Sequence, residues 1–353
     1  MRAAVLRRGE MVVRDDVADP VPAAGQVLVR VRACGICGSD LHFTRHGHRA
    51  VELGRRVEGV ADLGAPEVDL ARDVFMGHEF AAEVLDAGPG TETFPPGTLV
   101  TSIPVLVSTS AIRPIVYSND VMGGFAERML LSAPLLLEVP NALESRHAAL
   151  TEPMAVGLHA VNRSQIAAAT DAALVLGAGP VGLAVVAALR RRGVAPVVAA
   201  DYSPARRGLA LAMGAHEVVD PREESPWAAY GRVGRGRPLV VFEAVGVPGI
   251  IDDILRRAPA QSRIVVVGVC MEDDTVTPFF GIAKELSVQF ALGYDPAEFA
   301  ASLRSIAEGE IGVAPMVTAE VGLDGVGWAF DALGDPDEHC KIVVTPDTDA
   351  GGS

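Results

Sequence analysis

The stretch Ala172-Ala173-Leu174-Val175-Leu176-Gly177-Ala178-Gly179-Pro180-Val181-Gly182 decides the fold of the second half of this 353-residue chain. Its first five residues are all apolar, which is typical of a strand buried on both faces of a parallel sheet. Three glycines with G-x-G-x-x-G spacing follow, and an Ala/Leu/Val-rich helical pattern comes after them. That spacing is a weak signal alone, but between a strand and a helix it predicts a dinucleotide-binding turn rather than a plain connection.

The residues of this turn have separate predicted roles. Gly177 permits a tight turn, Gly179 lets the backbone approach a pyrophosphate, and Gly182 lets the helix pack closely on the strand. Pro180 and Val181 open the helix, whose N-terminus offers N–H groups to the phosphates. We therefore expect a dinucleotide to bind at this point of the chain.

Asp201 ends the next predicted strand, at the distance expected for the acid that binds the adenosine ribose. A carboxylate there accepts hydrogen bonds from the 2′-hydroxyl and repels a 2′-phosphate, so NAD is predicted over NADP. Arg206 and Arg207 weigh against this preference, because a nearby arginine can accept the phosphate. Further cofactor-pocket positions are predicted at the ends of two later strands: Val245, Gly246, Val267, Gly268 and Val269.

Strand-like and helical patterns alternate around this turn. Predicted strands span residues 196–200, 217–219, 239–242, 263–267 and 286–290, and predicted helices span 204–213, 250–257 and 296–308. This alternation predicts an α/β fold with a doubly wound parallel sheet. Upstream, many short strands with Gly/Pro turns, such as the alternating segment 26–33, predict a small, partly open β-barrel.

A second motif, Cys37-Gly38-Ser39-Asp40-Leu41-His42, places a soft metal ligand, a hydroxyl, a carboxylate and an imidazole close together. A Cys thiolate is a strong zinc ligand, and the hydroxyl of Ser39 and the imidazole of His42 can pass a proton on. His78, Glu79 and Glu152 are further metal-ligand candidates, and Glu152 is predicted at the N-cap of a helix. A tight turn around one buried Cys is the alternative interpretation.

The segment between His42 and Gly77 is predicted to be a long polar loop. It contains His46 and His48, either of which could reach a metal or a substrate. Solvated loop histidines are more common, and we favour that interpretation.

Composition excludes several classes of function. A formal charge of −15 argues against nucleic acid and anionic membranes as partners. No apolar run is long enough to cross a bilayer and the N-terminus lacks a signal-peptide pattern, so we expect a cytoplasmic protein. Cys34 and Cys37 form the only C-x-x-C pair among four cysteines, which excludes a closed four-Cys zinc site but leaves a redox couple possible.

Taken together, the motifs resemble the zinc-dependent medium-chain alcohol dehydrogenase family over nearly the whole chain. The matching elements are residues 35–42, Gly77-His78-Glu79, Glu152-Pro153, the 177–182 turn and Asp201. The resemblance implies a GroES-like catalytic domain at 1–153, a Rossmann NAD-binding domain at 154–293, and a return to the first domain at 294–353 with a short disordered tail. The Glu-Pro element and early Ser are most similar to the sorbitol, threonine and secondary-alcohol dehydrogenase branch.

The resemblance also implies roles for individual residues. Cys37 and His78 match the first two ligands of a catalytic zinc, Glu152 matches the third, and Glu79 is the neighbouring acid that can enter the zinc shell. Ser39 matches the hydroxyl that takes the alcohol proton. His42 then matches the imidazole that relays this proton outward.

Many family members hold a second, structural zinc with four closely spaced Cys. This chain has no Cys between Cys37 and Cys270, so one catalytic zinc and no structural zinc are expected. Residues 105–117 occupy the corresponding region with apolar and hydroxyl side chains.

The predicted activity is reversible hydride transfer between a small-molecule alcohol, with a secondary alcohol or polyol favoured, and NAD, giving a ketone or aldehyde. Two alternatives are a zinc-free quinone-reductase-like oxidoreductase and a nucleotide-binding protein that has lost catalysis. The intact set of ligand and relay residues counts against both. An apolar strand at 287–292 suggests a homodimer or a homotetramer.

Overall fold

A computed structural model describes residues 1–57, 68–108, 112–140 and 142–346. The chain forms two compact units. The first comprises residues 1–152, 317–335 and 341–353, and the second comprises 153–316 and 336–340.

The helices and strands are given in chain order. To residue 148 they are β1 Ala3–Arg7, β2 Glu10–Arg14, β3 Gln26–Gly35, α1 Gly38–Arg56, β4 Val74–Phe75, β5 Glu79–Ala87, β6 Leu99–Ser102, β7 Val105–Val107, β8 Ile112–Pro114, β9 Arg128–Ser132, β10 Leu136–Glu138 and α2 Ser145–Ala148. From residue 151 they are α3 Thr151–Arg163, β11 Ala172–Leu176, α4 Pro180–Arg191, β12 Val197–Ala200, α5 Pro204–Ala212, β13 Glu217–Val219, α6 Pro226–Gly234, β14 Leu239–Glu243, α7 Ile250–Arg257 and β15 Arg263–Val266. The last ones are α8 Pro278–Ala283, β16 Ser287–Phe290, α9 Pro296–Ala307, β17 Val317–Val321, α10 Val326–Ala332 and β18 Lys341–Val344.

The first unit is organised around β3. Its apolar residues Val27, Val29 and Val31 are fully buried, while the arginines that follow Val29 and Val31 are half-buried, as its alternating sequence predicts. Strands β5, β9 and β18 all pair with β3 in antiparallel register. Because β18 comes from the far end of the chain, this sheet joins residues near 35 to residues near 341.

The second unit contains a parallel sheet in the order β13-β12-β11-β14-β15-β16, within the continuously described range 142–346. The first strand, β11, lies between the second and the fourth, which is the order of a doubly wound sheet with its ligand crevice beside β11 and β14. All five residues of β11 are buried, as expected for a strand covered on both faces. The predicted α/β fold class and its strands are confirmed.

The predicted loop after His42 is wrong up to residue 56. Residues 38–56 form α1, with a kink at His46, where the backbone leaves helical geometry. The buried positions Asp40, Phe43 and Gly47 are three and four residues apart, which is the helical period. His46 and His48 are exposed on this helix, and residues 58–67 lie outside the described ranges.

Other boundaries differ from the prediction. Helix α3 begins at Thr151, so Glu152 lies inside its first turn and is not an N-cap. Residues 294–316, including α9, belong to the second unit, and the chain returns to the first unit at Val317. The segment 99–107 forms two strands, β6 and β7. Of the predicted C-terminal tail, residues 347–353 lie outside the described ranges.

None of the helices in the described parts of the chain has both the length and the apolar character that a membrane span requires.

Candidate active site

Three candidate metal ligands meet in the first unit. The ligand atoms of Cys37, His78 and Glu79 all lie within 4.8 Å of one another. Cys37 is the N-cap of α1, His78 directly precedes β5, and Glu79 is the first residue of that strand. In the described residues this is the only group of three or more His, Cys, Asp or Glu side chains close enough to share a metal ion.

Asp40 connects two of these ligands. Its Oδ2 accepts a hydrogen bond from the Cys37 backbone N–H at 3.0 Å, and its Oδ1 lies 3.5 Å from Nδ1 of His78. Within the described residues, that Oδ1 and that Nδ1 are buried and have no hydrogen-bond partner at normal distance. A metal on the other ring nitrogen would fix the tautomer that donates from Nδ1 to Asp40. The donor set and these two buried atoms therefore fit a zinc ion.

The charges of the cluster are coupled. Burial lowers the pKa of His78, but the Asp40 carboxylate, Cys37 and Glu152 outweigh burial and raise this pKa well above its usual value of 6.5. Burial raises the pKa of Asp40, and His78 opposes that rise. The site thus favours positive charge at its centre, whether a proton or a metal ion supplies it.

Besides belonging to the ligand cluster, Glu79 forms an ion pair with Lys341. Its Oε1 and Oε2 accept hydrogen bonds from Nζ of Lys341 at 2.8 and 2.7 Å, and both side chains are fully buried. The carbonyl oxygen of Ile36 accepts the third hydrogen bond from this Nζ, at 2.9 Å. The carboxylate of Glu79 is therefore balanced by a protein cation, while Glu152 acts electrostatically on His78.

The predicted proton-transfer residues lie on the first turns of α1. Burial raises the pKa of Tyr117 well above its usual value of 10, and Ser39, the second residue of this helix, partly opposes that rise. His42 is half-buried, and burial lowers its pKa, with His46 and Arg45 lowering it further. His42 is thus neutral near pH 7, which is the form that accepts a proton.

In the second unit, the predicted dinucleotide turn joins β11 to α4. Gly177 adopts a φ of +88°, and a side chain at Gly182 would place its Cβ 1.9 Å from the Gly177 carbonyl oxygen. Both positions therefore require glycine. The Asp201 carboxylate accepts hydrogen bonds from Ala178 N and Ser203 N, both at 2.8 Å, which fixes it beside this turn.

The turn borders a cavity of about 850 Å³ within the second unit, a size suited to a nucleotide. Arg206 lines this cavity, and its Nη1 lies 4.0 Å from the Cβ position of Gly179. Its Nε is buried, and none of the described residues accepts a hydrogen bond from it. By contrast, Arg207 donates to Asp220 and to backbone carbonyls. Of the two arginines that weighed against NAD, only Arg206 thus presents an unpaired polar atom in this cavity.

The predicted positions after β14 and β15 share a buried partner, Glu243. Its Oε1 accepts hydrogen bonds from the backbone N–H groups of Val245 and Gly246, at 2.7 and 2.8 Å. Its carbonyl oxygen accepts from Val267 N and Gly268 N, both at 2.9 Å. Glu243 therefore joins the two turns at the carboxyl edge of the sheet, and Val245 and Val269 are partly exposed there.

Three residues at these sites were not predicted from the sequence. Lys341 opens an otherwise apolar strand, and a lysine in such a strand is a signal that it has a buried partner. Glu243 similarly ends an apolar strand. Tyr117 lies in an irregular segment, and nothing in its sequence surroundings indicates that its ring stacks on Phe43 of α1.

Comparison with known proteins gives consistent matches. Residues 23–141 match the family described as alcohol dehydrogenase GroES-like domain, and residues 180–308 match the family described as zinc-binding dehydrogenase. The (R,R)-butanediol dehydrogenase of Bacillus subtilis is 31% identical, over 98% of this chain and 100% of that protein.

Two solved structures agree with these matches. The crystal structure of 2R,3R-butanediol dehydrogenase from Bacillus subtilis has a TM-score of 0.81 and 29% identity, covering 98% of this chain and 99% of its own. A zinc-binding dehydrogenase from Sinorhizobium meliloti bound to NADP has a TM-score of 0.80 and 29% identity, with the same coverage.

These matches confirm the predicted fold class and the predicted class of enzyme, an oxidoreductase acting on an alcohol. The chain belongs to the zinc-dependent medium-chain alcohol dehydrogenase family.

Proposed function

We propose that this enzyme oxidises a secondary alcohol or a polyol to the corresponding ketone, with NAD as hydride acceptor and one catalytic zinc per chain. The observation that carries the proposal is the cluster of half-buried Cys37 with buried His78 and Glu79, together with the buried Nδ1 of His78 and Oδ1 of Asp40, which lack hydrogen-bond partners at normal distance. The reaction is reversible, so a ketone and NADH are equally its substrates. A cytoplasmic location stays a prediction.

We assign Cys37, His78 and Glu152 as the resting ligands of the zinc. Glu79 is less suited, because moving its carboxylate toward a metal would weaken its pairing with the fully buried Lys341. An unpaired buried ammonium is strongly unfavourable. Three protein ligands would hold the zinc in the way of a catalytic site, which stays accessible to substrate.

The protein groups then handle the proton. A zinc ion held by these residues would supply Lewis acidity, which lowers the pKa of an alcohol hydroxyl. Ser39 accepts the hydroxyl proton from its position on the first turn of α1. His42, which burial keeps neutral, takes the proton onward to solvent.

Zinc content tests the proposal. We expect about one zinc per chain in the wild type, loss of the metal in Cys37→Ala, and marked weakening in Glu152→Gln. Glu79→Gln should retain zinc if Glu152 is the resting ligand. Retention by Glu152→Gln and loss by Glu79→Gln would reverse the ligand assignment.

The same samples distinguish the alternative functions. A carefully handled wild type without zinc would favour the zinc-free reductase. A zinc-loaded protein that oxidises no secondary alcohol or polyol with NAD or NADP would favour a silent nucleotide-binding protein.

We propose NAD as the cofactor because Asp201 is fixed beside the dinucleotide turn, where its charge repels a 2′-phosphate. Asp201→Ala should shift the ratio of kcat/KM values toward NADP by roughly tenfold, equivalent to about 1.4 kcal/mol. Arg206→Ala is the matched second variant. Equal weakening of both cofactors would place Arg206 on the pyrophosphate, whereas weakening of NADP alone would place it at the 2′-position and contradict the NAD assignment.

We also propose a homodimer formed through β16, the edge strand of the parallel sheet. Phe290 and Leu292 at this edge are 67% and 82% exposed, and Ile282 of the nearby α8 is 77% exposed. An unpaired apolar edge readily adds a strand from a second copy. Sedimentation of the wild type and of Phe290→Lys tests this, since a dimer should become a monomer; a wild-type monomer, or a tetramer that Phe290→Lys leaves intact, would contradict it.

A further inference from the structure

His216 is joined to the first residue of β12 by two hydrogen bonds. It lies directly before β13, and its backbone N–H donates to the carbonyl oxygen of Val197 at 2.8 Å. In the opposite direction, the backbone N–H of Val197 donates to Nδ1 of the His216 ring at 3.1 Å. Val197 is fully buried. The imidazole therefore supplies the acceptor that a buried backbone donor requires.

This geometry requires a neutral ring. Nδ1 of His216 can accept a hydrogen bond only while it carries a free electron pair, so the ring proton must be on Nε2. In the protonated ring both nitrogens carry hydrogen, and the N–H of Nδ1 would face the N–H of Val197. Protonation of His216 therefore breaks the hydrogen bond from Val197.

The charges around His216 favour the neutral form. Partial burial, and then the positive charge of Arg190 on α4, lower the pKa of His216 below its usual value of 6.5. The neighbouring carboxylate of Glu217 is ion-paired with Arg232 of α6, and Arg237 donates to a backbone carbonyl just before β12. The bond to Val197 is thus fully present above pH 6.5 and is lost as the pH falls below that value.

The strand that follows His216 leads to the nucleotide cavity. β13 is an edge strand of the parallel sheet and pairs with β12 over only three residues, 217–219. All seven residues from 221 to 227, just after this strand, line the cavity. A short edge strand belongs to the part of a fold that opens most easily. The two bonds of His216 therefore secure a strand on which one wall of the cavity depends.

We propose that His216 is an acid-sensitive switch: its neutral imidazole holds β13 against β12, and its protonation loosens this edge strand, disturbs the adjoining cavity wall and weakens dinucleotide binding. Part of the ring is exposed, so protons from solvent reach it. The unpaired N–H of the buried Val197 supplies the free energy difference between the two states. All of these contacts lie within the second unit.

The test compares the wild type with His216→Asn, whose side-chain oxygen can accept the Val197 N–H near the position of Nδ1 but does not titrate. The dissociation constant for NAD is measured by calorimetry, without alcohol, at pH 8 and pH 5.5. We expect the wild type to lose about threefold more affinity between these values than His216→Asn does, as for part of one hydrogen bond. At pH 5.5, the backbone amides of 217–219 should exchange hydrogen faster in the wild type than in His216→Asn.

Two further variants serve as controls. His216→Leu has no acceptor and should bind NAD as weakly at pH 8 as the acidified wild type does. His48→Asn changes an exposed histidine of α1 and should keep the pH response of the wild type.

Two results would overturn the proposal. An equal loss of affinity in the wild type and His216→Asn would assign the pH response to other groups. Faster exchange in β13 with an unchanged dissociation constant would show that this strand does not control the cavity. Because no alcohol is present, a protein without alcohol dehydrogenase activity can still give the expected result, and if NAD does not bind at pH 8, NADP replaces it in the same comparison.

Discussion

Lys341 and Glu79 form a fully buried ion pair whose members are 262 residues apart in the sequence. The ammonium group of Lys341 has three donors, and the two carboxylate oxygens and the Ile36 carbonyl accept all of them. This pair lies directly beside the proposed zinc ligands, so it influences both stability and the metal site.

Lys341→Met should destabilise the protein by about 3–5 kcal/mol, because it leaves the Glu79 carboxylate buried without its counter-ion. Urea unfolding of the metal-free protein measures the change. In the double variant Lys341→Met/Glu79→Leu both charges are absent, and we expect most of the stability to return. A double variant as unstable as the single one would show that packing, rather than charge, accounts for the loss.

Asp40→Asn should weaken zinc binding by about 10- to 100-fold, since Asp40 orients His78 and binds the Cys37 backbone. Competition with a chelator measures the affinity. Asp16→Asn, which removes an exposed carboxylate paired with Arg14, is the matched control and should leave the affinity unchanged. Equal affinities in all three proteins would exclude an orienting role for Asp40.

Glu243→Leu should raise the KM for NAD about tenfold or more, because the N–H groups of Val245 and Gly246 lose their common acceptor and the turn loosens. Glu243→Gln retains an acceptor oxygen and should remain close to the wild type. Steady-state kinetics at saturating alcohol separate the effects on KM and kcat. Similar KM values for the two variants would contradict the positioning role.

Asp73→Asn should reduce stability in a pH-dependent way. Hydrogen bonds from Arg7, and then Arg14, lower the pKa of Asp73 from 3.8 to about 2, so its contribution is fully present above pH 4 and is lost as the pH falls toward 2. Because the arginines are partly exposed, we expect only about 1 kcal/mol at neutral pH.

Melting temperatures of Asp73→Asn and the wild type, measured between pH 7 and pH 2, should approach each other at the acidic end. Asp120→Asn, at the exposed pair with Arg72, is the control and should be neutral throughout. A stability difference that stays constant with pH would point to lost packing instead.

The parallel sheet could be predicted from the sequence because its strands are defined by local patterns. The five apolar residues of β11 and the glycines after them lie in one short stretch, and this stretch alone indicates a buried strand followed by a turn. The same is true of β3, whose alternation of valines and arginines matches its burial. Strands of this kind can be predicted without knowing which distant segments they contact.

The first helix was harder to predict because its sequence is polar. Helix α1 buries only Asp40, Phe43 and Gly47. Of these three helically spaced residues, only Phe43 has a large apolar side chain. Apolar periodicity, the main signal for a helix, is therefore nearly absent.

Residues of the candidate site were predicted where they fall in short sequence motifs and were missed where pairing or packing of distant segments brings them there. Cys37, Ser39 and His42 share one short motif. Lys341 reaches Glu79 through the pairing of β18 with β3, and Tyr117 reaches helix α1 by stacking on Phe43. Such contacts depend on register and packing between distant segments, which local patterns do not encode.

The return of β18 to β3 has a consequence for biosynthesis. Ribosomes make the residues around Glu79 long before Lys341, so a nascent chain carries an uncompensated carboxylate at this position for most of its translation. The first unit can therefore reach its final packing only after the second unit has been synthesised. We expect nascent chains that end before residue 341 to leave the metal site exposed to protease, and the site to become resistant only when the last strand has emerged.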